Sequence, residues 1–224
     1  MKPSSPDTKQ RLLDAASRVF VEQGFARSKI RDIVTLASTN LAAVNYHFGS
    51  KEGLYDAVLR HHAQRIMAAH PTHLAPGFES LSTEERLRVF IRGVIGRILD
   101  DDPATMFPRL VAREMLDPTP ALDGMIESFV RPQAAVLTGI IATLLDTRRN
   151  SAEARRCALS VIGQCLNLYF QRHVIHRVFP EQRLDRTAID ELAEHVMTFS
   201  LGGIQAVARL RRPARSLRRA RRIA

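Results

Sequence analysis

The chain has 224 residues, 45% of them hydrophobic, so it can bury at least one substantial core. No apolar run reaches the roughly 18 residues that a membrane-spanning helix requires, and the first ten residues lack the apolar stretch of an export signal. Cys157 and Cys165 are too far apart along one helix to form a disulfide with each other. We therefore expect a reduced, cytoplasmic protein that does not enter a membrane.

The net charge of +10 is concentrated at the two ends of the chain. Residues 1–60 carry nine basic and six acidic side chains, whereas residues 209–224 carry eight arginines and no acid. A basic N-terminal segment favours nucleic acid as a partner. The arginine-rich residues 211–224 are interpreted as a tail that is disordered alone. That tail either adds nonspecific affinity for phosphates or only improves solubility.

Helical periodicity runs through nearly the whole chain and convincing strand alternation is absent, which predicts an all-α fold of about nine helices. The first four helices are expected at residues 7–22, 30–37, 41–48 and 51–69. Their predicted boundary residues are Gly24 after the first helix, Ser28 before the second, Asn40 or Thr39 before the third, and Ser50 before the fourth.

A segment rich in proline and glycine, residues 71–80, is the clearest boundary along the chain. After it, Ser82 and Glu85 have the spacing of a capping box that opens the next helix. Pro132 lies inside a predicted helix and should kink or split it. The later helices are expected at residues 82–99, 102–116, 118–146, 151–178 and 187–210.

Residues 30–52 have the order of a helix-turn-helix: two short helices around a tight turn, followed by the start of another helix. Ile33, Val44 and Phe48 are expected in the core that these helices share. Asn45, Tyr46 and His47 are consecutive and cannot all be buried on one helix, so they face either solvent or a ligand. The predicted DNA contacts are Arg31, Thr39, Asn40, Ala42, Ala43, Asn45, Tyr46, His47 and Lys51.

These candidates suggest different roles in binding DNA. Asn45 can pair with an adenine edge or a phosphate, and Tyr46 and His47 can donate to phosphates. Lys51 lies in the first turn of a helix, where free backbone N–H groups also favour an anion. Because Ala42 and Ala43 cannot hydrogen-bond to bases through their side chains, contacts with thymine methyl groups and DNA shape would carry much of the specificity.

The segment Asn45-Tyr46-His47-Phe48-Gly49-Ser50-Lys51-Glu52, with Ile30-Arg31-Asp32-Ile33-Val34 before it, resembles the DNA-binding domain of TetR-family bacterial regulators. The resemblance covers about residues 8–60. It implies a DNA-binding domain at residues 1–60 and an effector-binding and dimerisation domain at residues 61–210. It also implies a homodimer on a double-stranded, palindromic operator, usually a repressor of a nearby operon that a small molecule releases.

Two departures from the family pattern lie in this segment. Ser38-Thr39 replaces the usual Gly-Val turn, so a residue with a Cβ atom is expected where glycine is favoured. Asn45 replaces the commonest tyrosine of a Leu-Tyr pair. The particular contact at that position is therefore open, although the docking mode is not affected.

Residues 107–118 resemble a segment of a TetR subfamily linked to drug sensitivity and efflux. Arg113 and Glu114 interrupt an apolar helix there, as a polar anchor in a ligand pocket or as a structural ion pair. Met115 and Met125 belong either to an adaptable apolar cavity or to the core. The predicted contacts with a small hydrophobic effector are Met106, Phe107, Arg113, Phe129, Gln164 and Asn167.

The last two long helices carry apolar stripes, which on the second include Ile189, Leu192, Val196 and Phe199. In the resembled family these helices form a four-helix interface between two chains, while a core within one chain is the alternative. The adjacent Gly202-Gly203 pair favours close approach of another helix.

Catalytic and metal-binding patterns are weak in this sequence. His173 and His176 share a helix face but lack a third ligand nearby, and no nucleophile elbow or phosphate-binding loop is present. We expect no cofactor, no metal and no enzymatic activity. The alternatives are a nonspecific nucleic-acid-binding protein and an enzyme that uses a cavity among the C-terminal helices.

Overall fold

The computed structural model describes residues 6–100 and 106–220, and the regular elements of this part are helices. The predicted all-α class is therefore confirmed. The α-helices are α1 Pro6–Arg27, α2 Ile30–Leu36, α3 Leu41–Phe48, α4 Lys51–Ala69, α5 Thr83–Leu99, α6 Phe107–Leu116, α7 Ala121–Met125, α8 Arg131–Leu144, α9 Ala152–Phe170, α10 Arg172–Val178 and α11 Ile189–Ala220.

Most of the predicted helix boundaries rest on local backbone chemistry that the structure confirms. Helix α1 is interrupted at Gly24, whose φ of 76° is a left-handed value that glycine adopts without a steric penalty. Asn40 caps α3, and the Ser50 hydroxyl accepts a hydrogen bond from the backbone N–H of Gly53. Ser82 and Glu85 form the reciprocal hydrogen bonds of a capping box at the start of α5.

The expected cap at Ser28 is wrong. Lys29 precedes α2 and makes no side-chain cap, whereas the Ser28 hydroxyl donates to the Phe25 carbonyl at 2.7 Å. Serine can satisfy backbone groups on either side of it, so the sequence alone does not decide between a cap and a turn.

Two of the predicted long helices are divided, so the number of helices exceeds nine. A π-helical turn, Ile126–Val130, separates α7 from α8, and Pro132 is the second residue of α8. Proline lacks a backbone N–H and interrupts the normal helical hydrogen-bonding pattern, as predicted. The other division falls at Gln171, between α9 and α10.

The last helix, α11, continues to Ala220, past its predicted end near residue 210. Residues 211–220 are therefore helical in the structure, which differs from the expected disordered tail. Residues 221–224 lie outside the described residues, as does the helix start predicted at Asp102-Pro103.

The chain forms two compact units that do not follow its order. The first unit combines the described residues within Met1–Ala68 and Asp102–Val130, and the second combines those within Ala69–Asp101 and Arg131–Ala224. Helices α6 and α7 therefore belong to the same unit as the helix-turn-helix. The predicted functional domains, 1–60 and 61–210, stay a prediction about which residues each activity needs.

Each unit has its own apolar core. In the first unit Leu110 of α6 is fully buried together with Leu12, Phe20, Ile33, Val44 and Leu54 of α1–α4. The core of the second unit is formed by α5, α8, α9 and α11, and includes Leu87, Ile91, Ile95, Leu137, Ile141, Val161, Cys165, Val196 and Met197.

The apolar stripe of α11 faces its own chain over much of its length, which corrects the expectation that it lies between two chains. Ile189, Leu192 and Val196 are buried against their own chain, Val196 with only 4% of its surface exposed. For these residues the alternative of a core within one chain is confirmed. Phe199, three positions further along, is 67% exposed.

Within the described part of the chain, the helices are too short or too polar to cross a membrane.

Candidate nucleic-acid interface

The turn between α2 and α3 depends on an unusual backbone conformation at Ser38. Its φ is 50°, a left-handed value, so the expectation of a residue with a Cβ atom in a position that favours glycine is confirmed. Backbone hydrogen bonds from Ser38 to Thr35 and from Thr39 to Val34 close the turn, at 3.1 and 2.9 Å. The strained residue thus sets the angle at which α3 leaves α2.

Helix α3 is anchored on one side and open on the other. Val44 is fully buried, and Ala43 and Phe48 are partly buried against the same core. The opposite side exposes Asn45 and Tyr46, the latter with 71% of its surface accessible. This side also exposes Leu41 and Ala42.

The candidate residues around α3 differ in how free their side chains are. Arg31 is exposed at the second position of α2. Thr39 is partly buried, and the Asn40 side-chain oxygen is occupied by the hydrogen bond from the Ala43 backbone N–H at 3.1 Å. His47 is half-buried, and its Nε2 atom is inaccessible and makes no hydrogen bond.

Lys51, at the first position of α4, is held in a defined place. Its Nζ atom donates to the Phe25 carbonyl at 2.6 Å and lies 4.5 Å from the centre of the Phe25 ring. Burial lowers the pKa of Lys51, while the nearby Glu52 carboxylate raises it. An ammonium group has three donors, so this contact leaves donors for a phosphate.

Sequence reasoning missed a buried polar cluster under α4. The Glu114 carboxylate is 1% exposed and accepts hydrogen bonds from the Tyr55 hydroxyl, at 2.6 Å, and from the backbone and hydroxyl of Thr119, both at 3.1 Å. Burial, followed by the hydrogen bond to Glu114, raises the pKa of Tyr55. The polar pair in an apolar helix was a signal, but it did not identify partners so distant in sequence.

Arg113 points to a different place from Glu114. Its Nε and Nη2 atoms donate to the main-chain carbonyls of Val21 and Glu22, at 2.9 and 2.7 Å. The expected alternative is a structural ion pair to a neighbouring helix. The structure has hydrogen bonds instead, from Arg113 to main-chain carbonyls of α1 and to Glu114 from Tyr55 and Thr119.

The predicted effector contacts fall into both units. In the first unit, Phe107 is buried and its ring lies 4.9 Å from that of Phe129, while Met106 is partly buried. In the second, Gln164 donates to the Ser200 hydroxyl at 3.1 Å and Asn167 is exposed. Their role in binding an effector stays a prediction.

A surface cleft of about 330 Å³ lies in the first unit, and none of these predicted effector contacts lines it. Its lining residues are Phe25, Glu52, Gly53, Tyr55, Asp56, Thr119, Pro120, Ala121 and Gly124. Elsewhere, among the described residues, no group of three or more histidine, cysteine, aspartate or glutamate side chains is placed to hold a metal ion.

Family comparisons agree with the helix-turn-helix geometry. The family described as "Bacterial regulatory proteins, tetR family" matches residues 12–58. The family described as "HTH-type transcriptional dual regulator CecR, C-terminal domain" matches residues 83–204.

Two relatives that match over most of the chain, and a solved structure, extend the comparison. The dual regulator CecR of Shigella flexneri is 29% identical over 165 residues, 70% of this chain and 74% of that protein. An HTH-type transcriptional repressor of Mycobacterium tuberculosis is 30% identical over 202 residues, 90% of this chain and 88% of that protein. The crystal structure of a TetR-like regulator from Rhodococcus sp. RHA1 has a TM-score of 0.61 at 21% identity and covers 88% of this chain and 96% of its own.

The fold and the exposed α3 surface define a helix-turn-helix DNA-binding protein. The chain belongs to the TetR family of bacterial transcriptional regulators. The resemblance inferred from residues 30–52 is therefore confirmed.

The left-handed Ser38 generates a prediction about stability. Ser38→Gly should raise the free energy of unfolding by up to about 1 kcal/mol, because glycine adopts this φ without a clash of its Cβ atom. Ser38→Ala keeps the Cβ atom and is the matched control. Chemical denaturation of the three proteins measures the effect, and a glycine variant no more stable than the alanine variant would contradict it.

Proposed function

We propose that this regulator binds a palindromic operator as a homodimer, represses genes near its own, and releases DNA when a small hydrophobic effector binds. The observation that carries the DNA-binding part is the exposed side of α3, which presents Asn45 and Tyr46 to solvent. Lys51 follows at the first position of α4. A helix with one buried and one open side is suited to enter a major groove.

The proposed contacts divide into positioning and reading. Tyr46 and Lys51 are assigned to phosphates. The Tyr46 hydroxyl can donate to a phosphate oxygen, and the Lys51 ammonium lies at a helix N-terminus, which also suits an anion. Asn45 and Arg31 are assigned to base edges, because both are exposed and both side chains can make paired hydrogen bonds with a base. The exposed Ala42 is assigned to a thymine methyl group. Thr39, Asn40, Ala43 and His47 complete the proposed surface near the DNA backbone.

Replacing Lys51 tests this division. Lys51→Ala should weaken binding to operator and random DNA by the same factor and reduce the slope of log affinity against log salt by about one. Asn45→Ala should instead reduce the ratio of operator to random affinity, because the loss concerns base reading. Fluorescence anisotropy over a salt series measures both quantities.

Arg65→Ala is the control, since it removes one exposed positive charge from the same helix, α4, far from its start. An unchanged salt slope in Lys51→Ala would overturn the proposed docking. A wild-type protein that binds random DNA as tightly as any selected operator would favour the nonspecific alternative.

The homodimer proposal rests on an exposed apolar surface of the second unit. Large hydrophobic side chains rarely lie open to water in such numbers on neighbouring helices unless a partner covers them. Helices α9 and α11 also present glycines, Gly163, Gly202 and Gly203, with open space where a Cβ atom would lie. The exposed hydrophobic residues on these helices are Leu159, Leu166, Phe170, Phe199 and Leu210.

Phe199→Glu should convert the dimer to a monomer and weaken operator binding, because a charge would be buried between the two chains. Gln205→Glu places the same charge on another side of α11 and should leave the dimer intact. Val196→Glu is not a useful probe, since Val196 lies in the core of its own chain. Sedimentation velocity at micromolar concentration decides, and a monomeric wild type would refute the proposal.

The effector proposal is carried by the aromatic contact between Phe107 and Phe129 beside the partly buried Met106. Such soft and aromatic side chains suit a hydrophobic or aromatic compound. Arg113, in the same unit, remains the proposed polar contact, and Gln164 and Asn167 of the other unit stay predictions from the sequence.

A compound that raises the melting temperature of the protein should also reduce operator binding. Phe129→Ala should diminish both effects, while Met115→Ala, at an exposed position of α6, should not. Thermal shift and anisotropy with the same aromatic compound library measure them. Equal responses of the two variants would exclude Phe129 from the effector site.

A further inference from the structure

Helix α1 contains a kink at Gly24, whose φ of 76° and ψ of 168° are not helical. Carbonyl groups in the turn before such an interruption can accept hydrogen bonds from outside the helix. Arg113 of α6 makes two such bonds, with Nε and Nη2 donating to the main-chain carbonyls of Val21 and Glu22. A guanidinium presents its donors in a rigid plane, so two bonds fix orientation as well as distance.

The lack of a side chain at Gly24 permits both its left-handed φ and its close contact with Arg113. A Cβ atom at Gly24 would lie 2.9 Å from Nη1 of Arg113, closer than real Cβ contacts. The absence of a side chain at Gly24 therefore lets the guanidinium sit against the end of α1. The arginine holds the chain where it turns away from the helix.

The next residue after Gly24, Phe25, holds Lys51 in place. Phe25 directly follows Gly24, and its carbonyl accepts hydrogen bonds from Lys51 Nζ at 2.6 Å and from the Ser28 hydroxyl at 2.7 Å. The Phe25 ring also lies under the same ammonium group. Displacing the turn at Gly24 would therefore displace both of the Lys51 contacts with Phe25.

The neighbouring Glu114 also affects Phe25, through Tyr55. Its carboxylate fixes the Tyr55 hydroxyl, and the Tyr55 ring lies 5.0 Å from the Phe25 ring. Two consecutive residues of α6 thus constrain Phe25. Arg113 acts on the backbone before Phe25, and Glu114 acts on the Phe25 ring through Tyr55.

We propose that Arg113 is a positioning residue for DNA binding: by holding the end of α1, it keeps the Phe25 carbonyl where it orients the Lys51 ammonium towards a phosphate. This proposal rests on the assignment of Lys51 to a phosphate contact. Arg113 does not touch the DNA in this scheme and acts only through Phe25 and Lys51.

A double-mutant cycle on the full-length protein tests the proposal. Arg113→Ala should weaken operator binding about tenfold in the wild-type background but by much less in the Lys51→Ala background, because residues in one network are not additive. Arg109→Ala is the matched control, since it removes an exposed arginine from the same helix and should have little effect in either background.

The outcomes separate the two proposals. If Lys51→Ala alone leaves affinity and salt slope unchanged, the phosphate assignment fails. If Lys51→Ala weakens binding and Arg113→Ala weakens it by the same factor in both backgrounds, only the positioning role fails. A loss of stability alone, without an effect on DNA binding below the melting temperature, also overturns the positioning role.

Arg113→Lys keeps the test usable if the alanine variant does not fold, because lysine retains the charge and loses the paired geometry. The wild-type chain has four lysines, Lys2, Lys9, Lys29 and Lys51, and each of the variants Arg113→Lys and Arg109→Lys has a fifth. NMR of ¹³C-methylated lysines can follow the Lys51 signal in the full-length protein, assigned as the signal that is lost when Lys51→Arg is added to each protein. Its titration midpoint should rise towards that of an ordinary lysine in Arg113→Lys and stay unchanged in Arg109→Lys. An unchanged midpoint in Arg113→Lys would contradict the proposal.

Discussion

The helix-turn-helix depends on one constraint: its two helices are too short to be stable alone. Helices α2 and α3 have seven and eight residues, whereas an isolated helix in water needs about 12–15 residues to reach even marginal stability. Their shape must therefore come from burial of Ile33 and Val44 in a core shared with α1 and α4. The open side of α3 can then carry polar groups, because stability is supplied by the side that is buried.

This constraint explains why residues far along the chain take part in the DNA-binding unit. Three or four small helices bury little apolar surface, and a small core is only marginally stable. Leu110 of α6 adds a fully buried side chain to that core, and Glu114 and Arg113 add polar contacts to α4 and α1. The helix-turn-helix is therefore supported by α6, a helix that lies outside the motif.

The parts predicted well from sequence are those with local causes. A capping asparagine, a glycine after a helix and a capping box each act within about four residues, so the ends of α3 and the start of α5 were predicted closely. The family resemblance identified the helix-turn-helix for the same reason, since its motif is contiguous. Ser28 shows the limit of such local prediction. Its hydroxyl could cap α2 or bond to the preceding turn, and it bonds to the Phe25 carbonyl.

What could not be predicted depends on partners distant in sequence. Tyr55 and Glu114 are 59 positions apart, and nothing near either residue indicates the other. The same applies to α11, where apolar residues occur on more than one side. Periodicity showed that Val196 and Phe199 were both apolar, but only packing shows that the first is buried and the second exposed.

The interleaving of the two compact units has a practical consequence for chimeric regulators. An exchange of DNA-binding modules between relatives at a single crossover after α4 would separate the helix-turn-helix from Leu110, Arg113 and Glu114. The transplanted module would then pack against the α6 of the other protein. The buried Tyr55 hydroxyl and the carbonyls of α1 would need hydrogen-bond partners from that helix. A graft that carries α6 and α7 with the module keeps these native partners, at the cost of two additional junctions.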